Sequence, residues 1–267
     1  MDQFLSQYFD FSFMFDRFDK VLDGFGHTML LWAVAGALSL GWGLILALLR
    51  QLPGRAALPA RLLAIAYIDA FRGIPLLLVI VLIAGGFGAL SAGAAPPGPL
   101  PESIAVPHWF GQPSPFWYGA MAITITYGAY MAEVYRAGIE AVPEGQMEAA
   151  RSLGMGHGQA MRHVIVPQAV RKVIPPLLND MIALMKDTSI VAFISFNEVV
   201  LTGFDIQSKT FNSSALTLGA LLFLIVTIPM ARVVDWLIAR EQARTRRGGR
   251  PTPTLQPLPT AGSGAGP

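Results

Sequence analysis

There is no cysteine anywhere in this chain, so a disulfide framework and a thiolate metal site are both excluded. Charge is scarce as well: 13% of the 267 residues are Asp, Glu, Lys or Arg, against about 25% in ordinary soluble domains. The four histidines (His27, His108, His157, His163) are scattered, and the pair six apart, His157 and His163, would not share a helix face. No Gly-Lys-Ser or Gly-Lys-Thr occurs, which removes the lysine a Walker-type phosphate site requires, so the chain is not expected to bind ATP. No His-Glu-x-x-His motif occurs and no serine has a recognisable base nearby, which leaves an intramembrane enzyme without candidates. The first 20 residues carry aspartates and aromatics, not a basic stretch ahead of an apolar core, and do not read as a signal peptide. Between positions 93 and 114 there is no Lys or Arg at all.

What is present is long apolar sequence, 53% hydrophobic overall. A membrane-crossing helix takes about 20 mostly apolar residues. Segments 24–49, 62–92, 115–138 and 215–238 meet that need, and 176–204 does so despite Lys186 and Asp187, as a helix buried among others. The expected fold is an all-α integral membrane protein of about five transmembrane helices, the permease domain occupying 24–240. Arg50, Arg55 and Arg61 fall in one connection, Arg151, Arg162, Arg171 and Lys172 in another, and Arg240, Arg244, Arg246, Arg247 and Arg250 near the end of the chain. Positive charge stays in the cytoplasm, so these three stretches are expected inside, the N-terminus outside, and five crossings satisfy the parity. Segment 1–23 reads as an external interfacial anchor or a docking element, 94–115 as an external proline-rich loop, and 251–267 as a disordered cytoplasmic tail. Nothing calls for a nucleic-acid partner.

The loop over 140–172 carries the clearest pattern. Glu144 to Leu153 suits a short helix, Gly154 suits the left-handed residue that ends it, Gln159 to Val166 suits a second helix, and Pro167 is expected to turn the chain back to the membrane. The side chains of Ala149 and Ala150 are small enough for a partner surface to approach closely. Glu148-Ala149-Ala150, with Gly154 six and Pro167 nineteen residues after the Glu, resembles the EAA loop of ABC-importer permeases. Three further motifs in the family's order extend the likeness over nearly the whole chain: Arg72-Gly73-Ile74-Pro75, the run from Ala129 to Ile139 leading into Pro143-Glu144-Gly145-Gln146, and Lys186-Asp187-Thr188-Ser189-Ile190 followed by Glu198. Together they resemble the polar amino-acid (HisM/GlnP) type of permease. Departures are mild: Ile74 stands in place of Thr, Val164 and Val166 in place of Ile and Leu, and Ala137 where Gly is usual.

The resemblance implies a subunit with no chemistry of its own and no bound cofactor, ATP and Mg residing on a partner ATPase. It implies two permease subunits, identical or paralogous, on an ATPase dimer, an external solute-binding protein, a lipid surround and a bacterial cytoplasmic (inner) membrane. It assigns Glu148, Ala149, Ala150, Gly154 and Pro167 to ATPase coupling. Among the ionisable and hydroxyl groups within the apolar segments, Asp69, Arg72, Glu133, Arg136, Lys186, Asp187, Thr188, Ser189 and Glu198 are candidates for the translocation path of a polar or charged amino acid. The same groups could instead form helix-to-helix salt bridges or snorkel to the interface. A stand-alone secondary transporter or channel would also explain buried charge, but gives no reason for the glycine-broken loop.

Overall fold

The computed structural model describes residues 2–91 and 107–248. The described residues are helical: α1 Asp2–Tyr8, α2 Phe11–Asp16, α3 Phe18–Arg50, α4 Leu58–Gly73, α5 Leu76–Ser91, α6 Ser114–Glu140, α7 Glu144–Ser152, α8 His157–Ala160, α9 Val166–Asp187, α10 Val199–Thr210 and α11 Ser214–Gly248. A π-helical turn, Met161–Ile165, joins α8 to α9, and a 3-10 turn, Thr188–Ile194, follows α9. The tail expected over 251–267 and most of the 94–115 loop lie outside the described residues.

α3 and α11 are each long and apolar enough to cross a membrane, and two further candidates arise if each bent helix pair is one crossing. The first bent pair corrects the single element expected over 62–92. α4 and α5 meet at 106° across Ile74 and Pro75. Pro75 has no N–H to continue the ladder and pushes Ile74 into an extended conformation (φ −89°, ψ 128°). The second pair bends by 51° between the His157–Ile194 path and α10. Ser195 lies there in the left-handed region (φ 60°) and Glu198 restarts the helix.

α6 is the central element, packed against α3, α4, α5 and α9. Its tyrosines, threonines and glycines make it less apolar than α3 and α5, as suits a helix that faces protein more than lipid. Glycines let the axes approach: a Cβ on Gly138 would stand 2.0 Å from Val173 of α9, and one on Gly43 of α3 would stand 2.9 Å from the carbonyl oxygen of Gly128. Such pairings also fix direction. Gly119 meets Val191 and Gly138 meets Val173, while Gly24 meets Val199 and Gly36 meets Met181, so α3 and α6 both run antiparallel to the α9–α10 path and parallel to each other.

The N-terminal segment differs from the 1–23 boundary. Its last six residues belong to α3, and α1 and α2 fold over the start of α11: Gln7 accepts from the Ser213 amide (2.8 Å) and the Asp10 amide donates to Ser214 Oγ (3.0 Å). This places the N-terminus and the start of α11 at one end of the bundle. Arg50, which pairs with Glu133 of α6, lies at the other, beside the α7 loop.

Candidate coupling loop and intramembrane polar site

The loop after α6 is a small folded unit. Val142, Ile165 and Ala169 form its buried centre, with Ile139, Met147, Met161 and Val164 packed around them. Lys172 donates to the Ala141 carbonyl, and Gln168 Nε2 donates to Gln146 (3.2 Å), so both strands of the loop are tied together. α7 ends in two nested bonds, the Gly154 amide to the Arg151 carbonyl (2.9 Å) and the Met155 amide to the Ala150 carbonyl (3.2 Å). That is a Schellman turn, and it needs a left-handed residue between the helices; Gly154 supplies it at φ +82°.

Two details depart from expectation. Ala150 is buried against the loop's own interior (3% exposed), so only Glu148 and Ala149 of the tripeptide face outward. Pro167 does not turn the chain. It occupies the first turn of α9, where its missing N–H is tolerated, and the π turn just before it absorbs the irregularity. Leu153, 80% exposed at the tip beside Gly154, is an apolar contact point that motif reading passed over; its place at the end of an otherwise polar helix was the available signal.

The translocation-path candidates separate into four environments. Arg72 and Asp187 line one cavity of about 370 Å³ at the α4–α5 break, together with Thr126, Tyr127, Tyr130 and Asp180. Tyr127 donates to Asp187 Oδ2 (2.8 Å), and the Arg72 guanidinium lies over the Tyr130 ring, 5.8 Å from its centre. Thr126 Oγ1 and Asp180 Oδ2 are buried without a hydrogen-bond partner among the described residues, and an unsatisfied buried polar group costs about 1–3 kcal/mol. Glu133 and Arg136 sit elsewhere, in a ladder: Glu133 accepts from Arg50 of α3 and from Arg136 (2.7 and 2.9 Å), and Arg136 also pairs with Glu140. Glu198 is fully buried and structural. One oxygen caps α10 by accepting from the Leu201 amide (2.8 Å), and the other accepts from Thr28 of α3 (3.4 Å). Thr188 donates to the Met185 carbonyl (2.6 Å), Ser189 is half-buried, and Asp69 and Lys186 are exposed.

Sequence reading missed Asp180, Thr126, Tyr127, Tyr130 and Arg50. Asp180 precedes Asp187 by two helical turns and so shares its face, a spacing visible in the sequence. Arg50 could not be paired with Glu133 in this way, since the two are 83 positions apart.

Residues 42–243 match the family described as the binding-protein-dependent transport system inner membrane component. The chain belongs to that family. Curated relatives include the probable glutamine ABC transporter permease protein GlnM of Bacillus subtilis, 37% identical over 86% of this chain and 96% of its own length. The glutamate/aspartate import permease protein GltK of Escherichia coli is 30% identical over 87% of this chain and 98% of its own. Among solved structures, an amino acid ABC transporter crystallised with histidines aligns with a TM-score of 0.73 and 32% identity over 86% of this chain and 98% of the other. The inward-facing MetNI methionine ABC transporter, at 16% identity and a TM-score of 0.66, shares the fold. The expected all-α permease fold and the resemblance to ABC-importer permeases of the polar amino-acid type therefore both hold. As a family member, the chain is a multi-pass inner membrane component of a transport system rather than an enzyme in its own right.

Proposed function

We propose that this chain is the membrane-spanning subunit of an ATP-driven importer for polar or charged amino acids, working as a pair of permease subunits on a separate ATPase dimer. The observation that carries the coupling role is the α7 unit. It is a short helix with its own buried support, closed by a glycine turn, presenting Glu148, Ala149 and Leu153 to the outside. A rigid, solvent-facing helix of this kind suits a groove in a partner and moves as a body when that partner closes. Ala150 and Pro167 shape the unit from inside and behind. ATP and Mg belong to the partner, and an external binding protein delivers the solute. The N-terminus lies outside, with the α7 loop and the end of α11 in the cytoplasm, as the basic residues favour.

The cavity at the α4–α5 break supports the amino-acid reading. A zwitterion leaving water needs a cation, an anion and hydrogen-bonding groups to replace its hydration, and Arg72, Asp180, Asp187 and the Tyr127 and Tyr130 hydroxyls surround one space. Of the residues proposed for the path, Arg72 and Asp187 are the two that the fold brings to it.

The test is co-purification of tagged chain with its ATPase from solubilised membranes, comparing wild type with Glu148→Arg. Retention by the wild type and loss in the variant is the expected result. Retention by neither form, from a folded and inserted chain, would favour a stand-alone transporter. For the cavity, Asp187→Asn is expected to raise the solute concentration for half-maximal uptake by roughly tenfold, the factor that about 1.4 kcal/mol represents, with ATPase association unchanged. An unaltered uptake curve would remove Asp187 from the path.

A further inference from the structure

At the end of the bundle opposite the α7 loop, a second polar cavity of about 290 Å³ lies between Arg17, the first turns of α3, and α10. Three cations, Arg17, Lys20 and Lys209, and two carboxylates, Asp23 and Asp205, line it. Among the described residues, none of these five takes part in an ion pair within 4.0 Å. Arg17 rests over the Phe13 ring, 5.7 Å from its centre, and its Nε is shielded from solvent without a hydrogen-bond partner. Charges of both signs thus line one open hollow, with Lys20, Asp23, Asp205 and Lys209 exposed to whatever enters it and Arg17 half-buried behind them.

The same end carries large exposed aromatics: Phe11 (75%), Phe15 (84%) and Phe211 (83%). Phe211 holds a left-handed backbone (φ 54°) at the end of α10, two residues after Lys209. Exposed Phe rings at one end of a membrane-spanning bundle suit the apolar boundary just beneath the headgroup layer of a membrane. Charged groups set among them meet the phosphates and amines of that layer.

We infer that this cavity holds the headgroup of an ethanolamine phospholipid, the phosphate against Arg17, Lys20 and Lys209 and the ammonium against Asp23 and Asp205. Inorganic phosphate alone carries no positive charge to set against the two carboxylates. A choline headgroup lacks the N–H donors they accept from, and a glycerol headgroup lacks the positive charge. The inference rests on the chain crossing a membrane, not on which solute it carries, so it stands or falls separately from the cavity at the α4–α5 break.

The experiment is native mass spectrometry of the intact permease–ATPase complex, titrated in turn with phosphatidylethanolamine, phosphatidylcholine, phosphatidylglycerol and inorganic phosphate. Wild type is expected to retain the ethanolamine lipid about tenfold better than the other two lipids, a modest but measurable margin, and to retain no phosphate. Arg17→Gln with Lys209→Gln should abolish that retention. Asp23→Asn with Asp205→Asn should keep lipid bound but erase the ethanolamine-over-choline preference, and it serves as the folded control for the first pair. Equal retention of all three lipids, or preference unchanged by both double variants, overturns the proposal. Loss of external binding-protein association in the variants with lipid retention unaltered would also overturn it, and would make the cavity a protein-docking site.

Discussion

Gly154→Val is expected to abolish uptake while leaving the chain inserted. Gly154 lies at φ +82°, where a Cβ crowds the following carbonyl at a cost of about 1–2 kcal/mol for an L-residue, and a β-branched side chain is worse placed there than most. Among the described residues, no atom beyond Gly154 and its two chain neighbours lies within 4 Å of the added Cβ, so the cost is confined to the backbone of the turn. Relief requires breaking the Gly154–Arg151 and Met155–Ala150 bonds, which swings α7 with Glu148 and Leu153 away from their present positions. Uptake should fall by roughly tenfold or more, as that energy implies, while the partner ATPase continues to hydrolyse ATP. Asn tolerates the left-handed region better than other non-glycine residues, so Gly154→Asn should keep most of the uptake. Radiolabelled amino-acid uptake beside ATPase turnover in the same vesicles decides the matter, and normal uptake by the valine variant would sink the coupling role of this turn.

Glu133→Gln should destabilise the chain rather than alter its solute preference. The carboxylate is 17% exposed and held between Arg50 and Arg136, so the neutral amide strips one guanidinium of its counter-charge and leaves the other with Glu140 alone. Removing one partner of a fully buried pair costs about 3–5 kcal/mol; with Arg50 and Arg136 25% and 30% exposed, solvent screening lowers this to about 1–3 kcal/mol. A lowered thermal midpoint of the detergent-solubilised protein is the expected reading, partly recovered by Arg50→Gln in the same chain, since the two residues are coupled. A change in solute affinity at unchanged stability would instead return Glu133 to the path.

The helix and glycine turn of α7 were legible because their signal is local. Gly154 at a helix end and small residues on a short helix constrain structure within a few positions, and the φ at Gly154 follows from the sequence. Even there, that Ala150 is buried while Glu148 and Ala149 are exposed depended on tertiary packing, which no local signal reports. The 106° bend was not legible from hydropathy, because apolarity carries no direction: α5 is charge-free and α4 carries Asp69 and Arg72 near its end, but neither fact reports the angle between them. Pro167 misled in the opposite sense. A proline breaks a helix only where its missing donor and ring are not accommodated, and here a π turn accommodates them. The sorting of ionisable residues into a ladder, a cap and a cavity required distances between helices. Arg50 and Glu133, or Thr28 and Glu198, meet only after the bundle forms.

The modest apolarity of α6 bears on how the protein is made. Lipid is a poor solvent for a helix carrying Tyr127, Tyr130, Glu133 and Arg136, so α6 gains little by leaving the insertion machinery alone. It gains a great deal by leaving against α3, whose Trp42 and Gly43 pack at Gly128 and Met131 and whose Arg50 neutralises its acid. Insertion of α6 is therefore favoured by α3, which precedes it in the chain and offers both a packing surface and a counter-charge, a chaperone in cis for the helix that becomes the bundle's centre.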